Sequence, residues 1–81
     1  METRVAIMAI IVEDPGCVEA LNALLHEHGE YIIGRMGIPY KEKEINIISI
    51  ALDAPQDVIS ALSGKIGRLD NVSVKIVYSN K

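Results

Sequence analysis

The sequence predicts an α+β domain of order β-α-β-β-α-β, in which a four-stranded antiparallel sheet carries two helices on one face. Three observations lead there. Tyr31 to Leu52, YIIGRMGIPYKEKEINIISIAL, reads as two strands joined by a Pro-containing, charge-rich turn. On either side of that hairpin stands one helical pattern and, beyond it, one strand pattern. At 81 residues the chain is one domain, residues 1–81, whose core buries only about 60–65% of the surface its unfolded form exposes.

Arg4 to Val12, RVAIMAIIV, is rich in Ile and Val and bounded by Glu13-Asp14-Pro15-Gly16, which makes it a strand. Both of its parities are apolar: Val5, Ile7, Ala9 and Ile11 on one face, Ala6, Met8, Ile10 and Val12 on the other. A strand apolar on both faces is covered on both. Asp14 then fits an N-cap and Pro15 the first helical position. At about 100° per residue, Cys17, Val18, Leu21, Leu24, Leu25 and His28 share one arc, so an amphipathic helix follows, ended by Gly29.

In the second strand Ile32, Met36 and Ile38 share one parity, and Tyr31, Ile33 and Arg35 the other. Gly34 and Gly37 interrupt it and Pro39 closes it, marks of a bulged or twisted edge strand. Lys41-Glu42-Lys43-Glu44 is a solvated turn. The third strand, Ile45 to Leu52, sets Ile48, Ile50 and Leu52 against Ile47, Ser49 and Ala51. Asp53 with Gln56 three residues on resembles a capping box, and Pro55 marks a first turn. Val58, Ile59, Leu62, Ile66 and Leu69 form the apolar stripe of the second helix, and Val72 to Tyr78 alternates cleanly as a half-exposed edge strand.

Right-handed crossovers put both helices on one side of the sheet, which is the ferredoxin-like split βαβ with strand order 4-1-3-2. The first and third strands are then central, and their faces away from the helices are apolar too. Val5, Ile7, Ala9 and Ile11 with Ile47, Ser49 and Ala51, or the opposite parity of the first strand, therefore form an open face that needs a cover. A second copy supplies it, which predicts a homo-oligomer, dimer or tetramer. Composition agrees: 49% of the residues are hydrophobic, with no Trp or Phe, more aliphatic surface than one small core uses.

A net charge of −3 with no basic cluster argues against direct nucleic-acid binding. The single Cys17 forms no internal disulfide and suits a reducing cytoplasm. The apolar run Val5 to Val12 is too short to span a bilayer and lacks the features of a signal peptide. No Ser-His-acid order, paired carboxylates or metal-ligand motif stands out, so no enzyme activity is expected and no catalytic residue is nominated.

The segments RVAIMAIIVED, YIIGRMGIPYKEKEINIIS and LSGKIGRLDNVSVK resemble the small stand-alone ACT-like proteins described as iron-only hydrogenase system regulators, over nearly the whole chain. GRMGIPY and SGKIGR are the most specific blocks. Asp70-Asn71 stands where such proteins are expected to carry a Pro-Gly turn, and Asn serves the same geometry. The resemblance implies a ferredoxin-like fold close to ACT domains and to the effector-binding domain of nickel-responsive repressors. It also implies a regulatory role, with a small effector bound between the first strand and helix by helix N-terminal amides and a neighbouring subunit.

In this chain that loop holds Asp14, Gly16 and Cys17, with Arg35 the candidate compensating cation; these four are the candidate ligand-binding residues. Cys17, His26 and His28 invite a metal reading, but Cys17 and His28 lie about 16 Å apart along one helix and His26 points elsewhere, so no metal or other cofactor is expected. SGKIGR lacks the remaining residues of a P-loop and lies in the C-terminal half of its helix, where the dipole repels anions. Ser60, Gly64 and Gly67 instead recur on the face opposite the apolar stripe. They form either a ridge for close approach of a partner protein or simply a helix that frays at Gly64 and ends at Gly67. Two functions follow: a sensor with a small effector at a subunit interface, or a ligand-free protein-protein interaction module.

Overall fold

The computed structural model describes residues 2–81. Strand β1 (Arg4–Val12) leads through a 3-10 turn (Pro15–Cys17) into helix α1 (Val18–Glu27). A second 3-10 turn (Gly29–Tyr31) precedes strands β2 (Ile32–Tyr40) and β3 (Ile45–Ala54), which a third such turn (Lys41–Lys43) joins. Helix α2 (Gln56–Gly67) and strand β4 (Val72–Tyr78) complete the chain. All strand pairs are antiparallel and the order is β2-β3-β1-β4, the predicted 4-1-3-2 read from the other edge.

The parity of β1 is resolved by burial. Ala6, Met8, Ile10 and Val12 are fully buried, and they pair through β3 with the row of Ile48, Ile50, Leu52 and Ala54. Leu21 and Leu25 of α1 and Ile59, Leu62 and Ile66 of α2 close this core from above. No buried side-chain polar atom among the described residues lacks a partner, because the core carries almost nothing but aliphatic groups. The opposite parity, Val5, Ile7, Ala9 and Ile11, faces away from the helices and is exposed.

Three local expectations change. The register of β2 against β3 slips between Ile32 and Gly34, so Ile33 is an unpaired bulge residue, 65% exposed. An extra residue reverses parity beyond it. Ile32 therefore lies opposite Leu52 on the helix side, while Met36 and Ile38 lie opposite Ser49 and Ile47 on the open face, not on one face with Ile32. Asp53 is not a helix cap: β3 runs two residues further than Leu52, and Asp53 pairs with Val5. Pro55 holds the N-cap position without a side-chain cap bond, and Gln56 is drawn sideways to Ser60 (3.2 Å), Tyr78 (2.9 Å) and Arg4 (2.9 Å). Gly29 does not take the left-handed conformation of a C-terminal cap; α1 stops at Glu27 and the chain tightens into the 3-10 turn. The Asp70-Asn71 turn forms as expected, with Asn71 at φ 60°.

Candidate functional site

The Asp14–Cys17 turn is built by its own polar groups. Beyond Val12 the Glu13 N–H donates to the Asn71 carbonyl (2.8 Å), which fixes the exit of β1 beside the loop before β4. Asp14 caps the turn by accepting from the Gly16 N–H (2.9 Å), and the Cys17 N–H donates to the Asp14 carbonyl (3.0 Å). The amides of Gly16 and Cys17, expected to be free for an effector carboxylate, are thus already engaged.

Cys17 Sγ donates to the Asp70 carbonyl (2.9 Å). Partial burial, then the nearby carboxylates of Asp14 and Asp70, push its thiol pKa upward. Each disfavours the thiolate, so Cys17 behaves as a weakly reactive thiol.

Beside this turn lies a cleft of about 350 Å³ lined by Pro15, Pro39, Tyr40, Lys41, Glu44, Ile45 and Asn46. Its walls follow from register. Val12 pairs with Asn46 and Asn46 with Pro39, so the end of β1 and the tip of the β2–β3 hairpin arrive at the same end of the sheet. Glu44, left-handed at φ 55°, closes the hairpin after the Lys41–Lys43 turn. Tyr40 Oη donates to Glu42 (3.1 Å). Pro15, Pro39 and Ile45 are its apolar lining residues, Lys41 and Asn46 bring donors, and Glu44 brings a carboxylate.

The hairpin residues of this cleft were not singled out from sequence, where the charged tip reads as a plain solvated turn. The available signal was pairing: antiparallel β1 and β3 necessarily return the start of β3 to the end of β1.

Arg35 is not part of this cleft. It pairs with Ile50 on the helix side, and its Nη2 donates to Asn22 of α1 (3.0 Å). Ile50 lies opposite Met8, four residues before Val12, so Arg35 sits about 13 Å short of the turn along the sheet. Its backbone instead borders a shallow depression of about 330 Å³ with Gly34, Met36, Ser49 and Ala51.

Ser60, Gly64 and Gly67 all lie exposed on α2. Ser60 accepts from Gln56, Gly64 has open space where a side chain would stand, and Gly67 looks toward Val74 of β4. His28 Nδ1 donates to the Leu24 carbonyl (2.8 Å), tied into the end of α1, and His26 is exposed. Among the described residues no group of three or more His, Cys, Asp or Glu could hold a metal ion, and no helix is long and apolar enough to cross a membrane.

The model of the TM1266-like family, described as "Iron-only hydrogenase system regulator, putative", matches residues 4–76. Among solved structures, the uncharacterized protein TM1266 from Thermotoga maritima is similar at 41% sequence identity with a TM-score of 0.92, over 95% of this chain and 98% of that one. No curated protein matches.

Proposed function

This chain belongs to the TM1266-like family, and from that membership we propose that it is a cytoplasmic regulatory module of the iron-only hydrogenase system that senses a small effector at a subunit interface. The observation that carries the sensing part is the cleft beside Pro15, where the turn after β1 meets the β2–β3 hairpin. The apolar lining of Pro15, Pro39 and Ile45 with Lys41 beside it suits a small molecule that has one apolar part and one anionic group paired with Lys41 and kept away from Glu44. Lys41 takes the compensating role that the sequence suggested for Arg35, because Arg35 does not border the cleft. Asp14, Gly16 and Cys17 set the position of Pro15 and so shape the wall. An effector that binds two arrangements of the assembly unequally shifts their populations, and no reaction is needed.

Native mass spectrometry on protein purified without added metal or chelator tests this. A stoichiometric extra mass that is lost in Lys41→Ala and retained in Arg35→Ala supports the cleft. Absence of any bound mass, together with no thermal stabilisation by a panel of small carboxylates and phosphates, overturns it.

The open space over Gly64 favours a second reading, a ligand-free interaction module that docks a partner protein along Ser60, Gly64 and Gly67. Gly64→Leu abolishes docking under that reading, and unaltered partner binding by this variant rejects it.

A further inference from the structure

The open face of the sheet is a grid whose rows follow from the strand register. One row runs Gly34, Ala51, Ile7, Val77 from β2 to β4. The next runs Met36, Ser49, Ala9, Lys75, and the third Ile38, Ile47, Ile11, Ser73. Size is distributed unevenly across the first row. Its β2–β3 half, Gly34 and Ala51, is low and forms part of the depression of about 330 Å³; its β1–β4 half, Ile7 and Val77, stands proud, with Val77 68% exposed.

From this pattern we infer that the face is covered by a second copy of this chain, related by a two-fold axis parallel to the strands and lying between β1 and β3. Such an axis keeps each row at its own level and exchanges left for right. Val77 of the partner subunit then enters over Gly34, Ile7 of the partner subunit lies on Ala51, and Ala9 of the partner subunit lies on Ser49. High meets low across the whole first row; in the middle row Ala9 lies on Ser49 of the partner subunit while Met36 lies against Lys75 of the partner subunit at the border, and in the third row Ile38 lies over Ser73 of the partner subunit and Ile47 on Ile11 of the partner subunit. A two-fold axis perpendicular to the strands through the middle row would instead set that row on itself, with Lys75 facing Lys75 of the partner subunit, like charge on like. The two charges of the face, Lys75 on the edge strand β4 and Asp53 at one end of β3, fall on the border of the patch, as the polar rim of an interface does.

Area supports the same occupant. An 8.8 kDa folded monomer is expected to expose about 4,800 Å², whereas this chain exposes 5386 Å². Four strands at about 4.8 Å spacing and nine residues at about 3.4 Å give the face a footprint of roughly 600 Å² in projection. Corrugated by side chains, that is of the order of the ~800 Å² per partner of a stable interface. Sheets packed this way lie about 10 Å apart with their strands within about 30° of each other.

This interface deepens the subunit-interface part of the proposed function and rests on it. The test is sedimentation equilibrium of the effector-free chain, with circular dichroism to verify folding. The wild type is expected to be a dimer, or a tetramer containing this dimer. Val77→Asp is expected to dissociate at least about 100-fold more readily, because a carboxylate would be buried unpaired. Gly34→Val finds open space within its own subunit and so folds, but it fills the depression and is expected to weaken association about 10-fold. Adding Val77→Ala to Gly34→Val is expected to recover most of that loss. A Val77→Asp chain that stays associated, or a Gly34→Val chain that associates as the wild type does, overturns this interface and leaves the effector reading standing. A monomeric wild type overturns this interface and the subunit-interface claim together.

Discussion

Asn71 and Cys17 show how single residues set the site. Asn71 sits at φ 60°, in the left-handed region where a Cβ-bearing side chain is strained unless it is short and polar, and its carbonyl holds Glu13 at the exit of β1. Asn71→Ala is expected to lower the unfolding free energy by about 1 kcal/mol, and Asn71→Gly by less; urea denaturation of the pair measures the difference. Cys17 carries a raised pKa, through burial first and Asp14 and Asp70 next. Because the folded value lies above the unfolded one, the preference for the neutral thiol stabilises the fold at lower pH and is lost as pH rises through the folded value. Alkylation of Cys17 near pH 8 is therefore expected to run slower than that of an unstructured cysteine peptide and to accelerate at higher pH; equal rates would contradict the assignment. In the core, Leu62 is fully buried on α2, and Leu62→Ala is expected to cost about 2–5 kcal/mol.

At the scale of the element, α2 and β2 carry conformational slack. Gly64 lies exposed in the interior of α2, and a Cβ at that position would meet nothing within 4 Å. Gly64→Ala is accordingly expected to stabilise the chain by about 0.5–1 kcal/mol, read as a shift in denaturation midpoint at constant slope. Strand β2 is short of packing along its length. Apart from the half-buried Ile32 it is exposed throughout, it contains two glycines and a proline, and it bulges at Ile33. Such a strand opens first when its outer face is bare, so in the dissociated Val77→Asp chain hydrogen exchange is expected to be faster in β2 than in the central strands β1 and β3. In the wild type the second copy covers β2, so its exchange there is expected to slow relative to Val77→Asp; a β2 that exchanges equally fast in both would contradict that cover.

For the whole molecule, a two-layer fold leaves the outer face of its sheet to something else. The helices cover the Met8 and Ile50 face; the Ile7 and Ile47 face has only water in a single copy. Association stabilises the folded state by mass action, so the midpoint of thermal unfolding is expected to rise with protein concentration between about 1 and 100 µM for the wild type and to stay constant for Val77→Asp. A concentration-independent wild-type midpoint would show that the face is not covered by a second copy.

The sequence by itself determined the element order, the strand topology, the helical stripes and the existence of an open apolar face, because each rests on a period that every residue in the element repeats. The alternation in β1 and β3 and the stripes through Leu21–Leu25 and Ile59–Ile66 leave little freedom once both helices must lie on one side. Only the tertiary structure decided which parity of β1 faces the helices, since both are apolar and local chemistry cannot choose. It also decided the bulge at Ile33, which moved Met36 and Ile38 to the open face, and the loss of the Asp53 cap to a longer β3. The cleft needed tertiary structure most of all. Pro15 and the Pro39–Asn46 hairpin are far apart in the chain, and they meet because antiparallel pairing brings the end of β1, the start of β3 and the end of β2 to one edge of the fold.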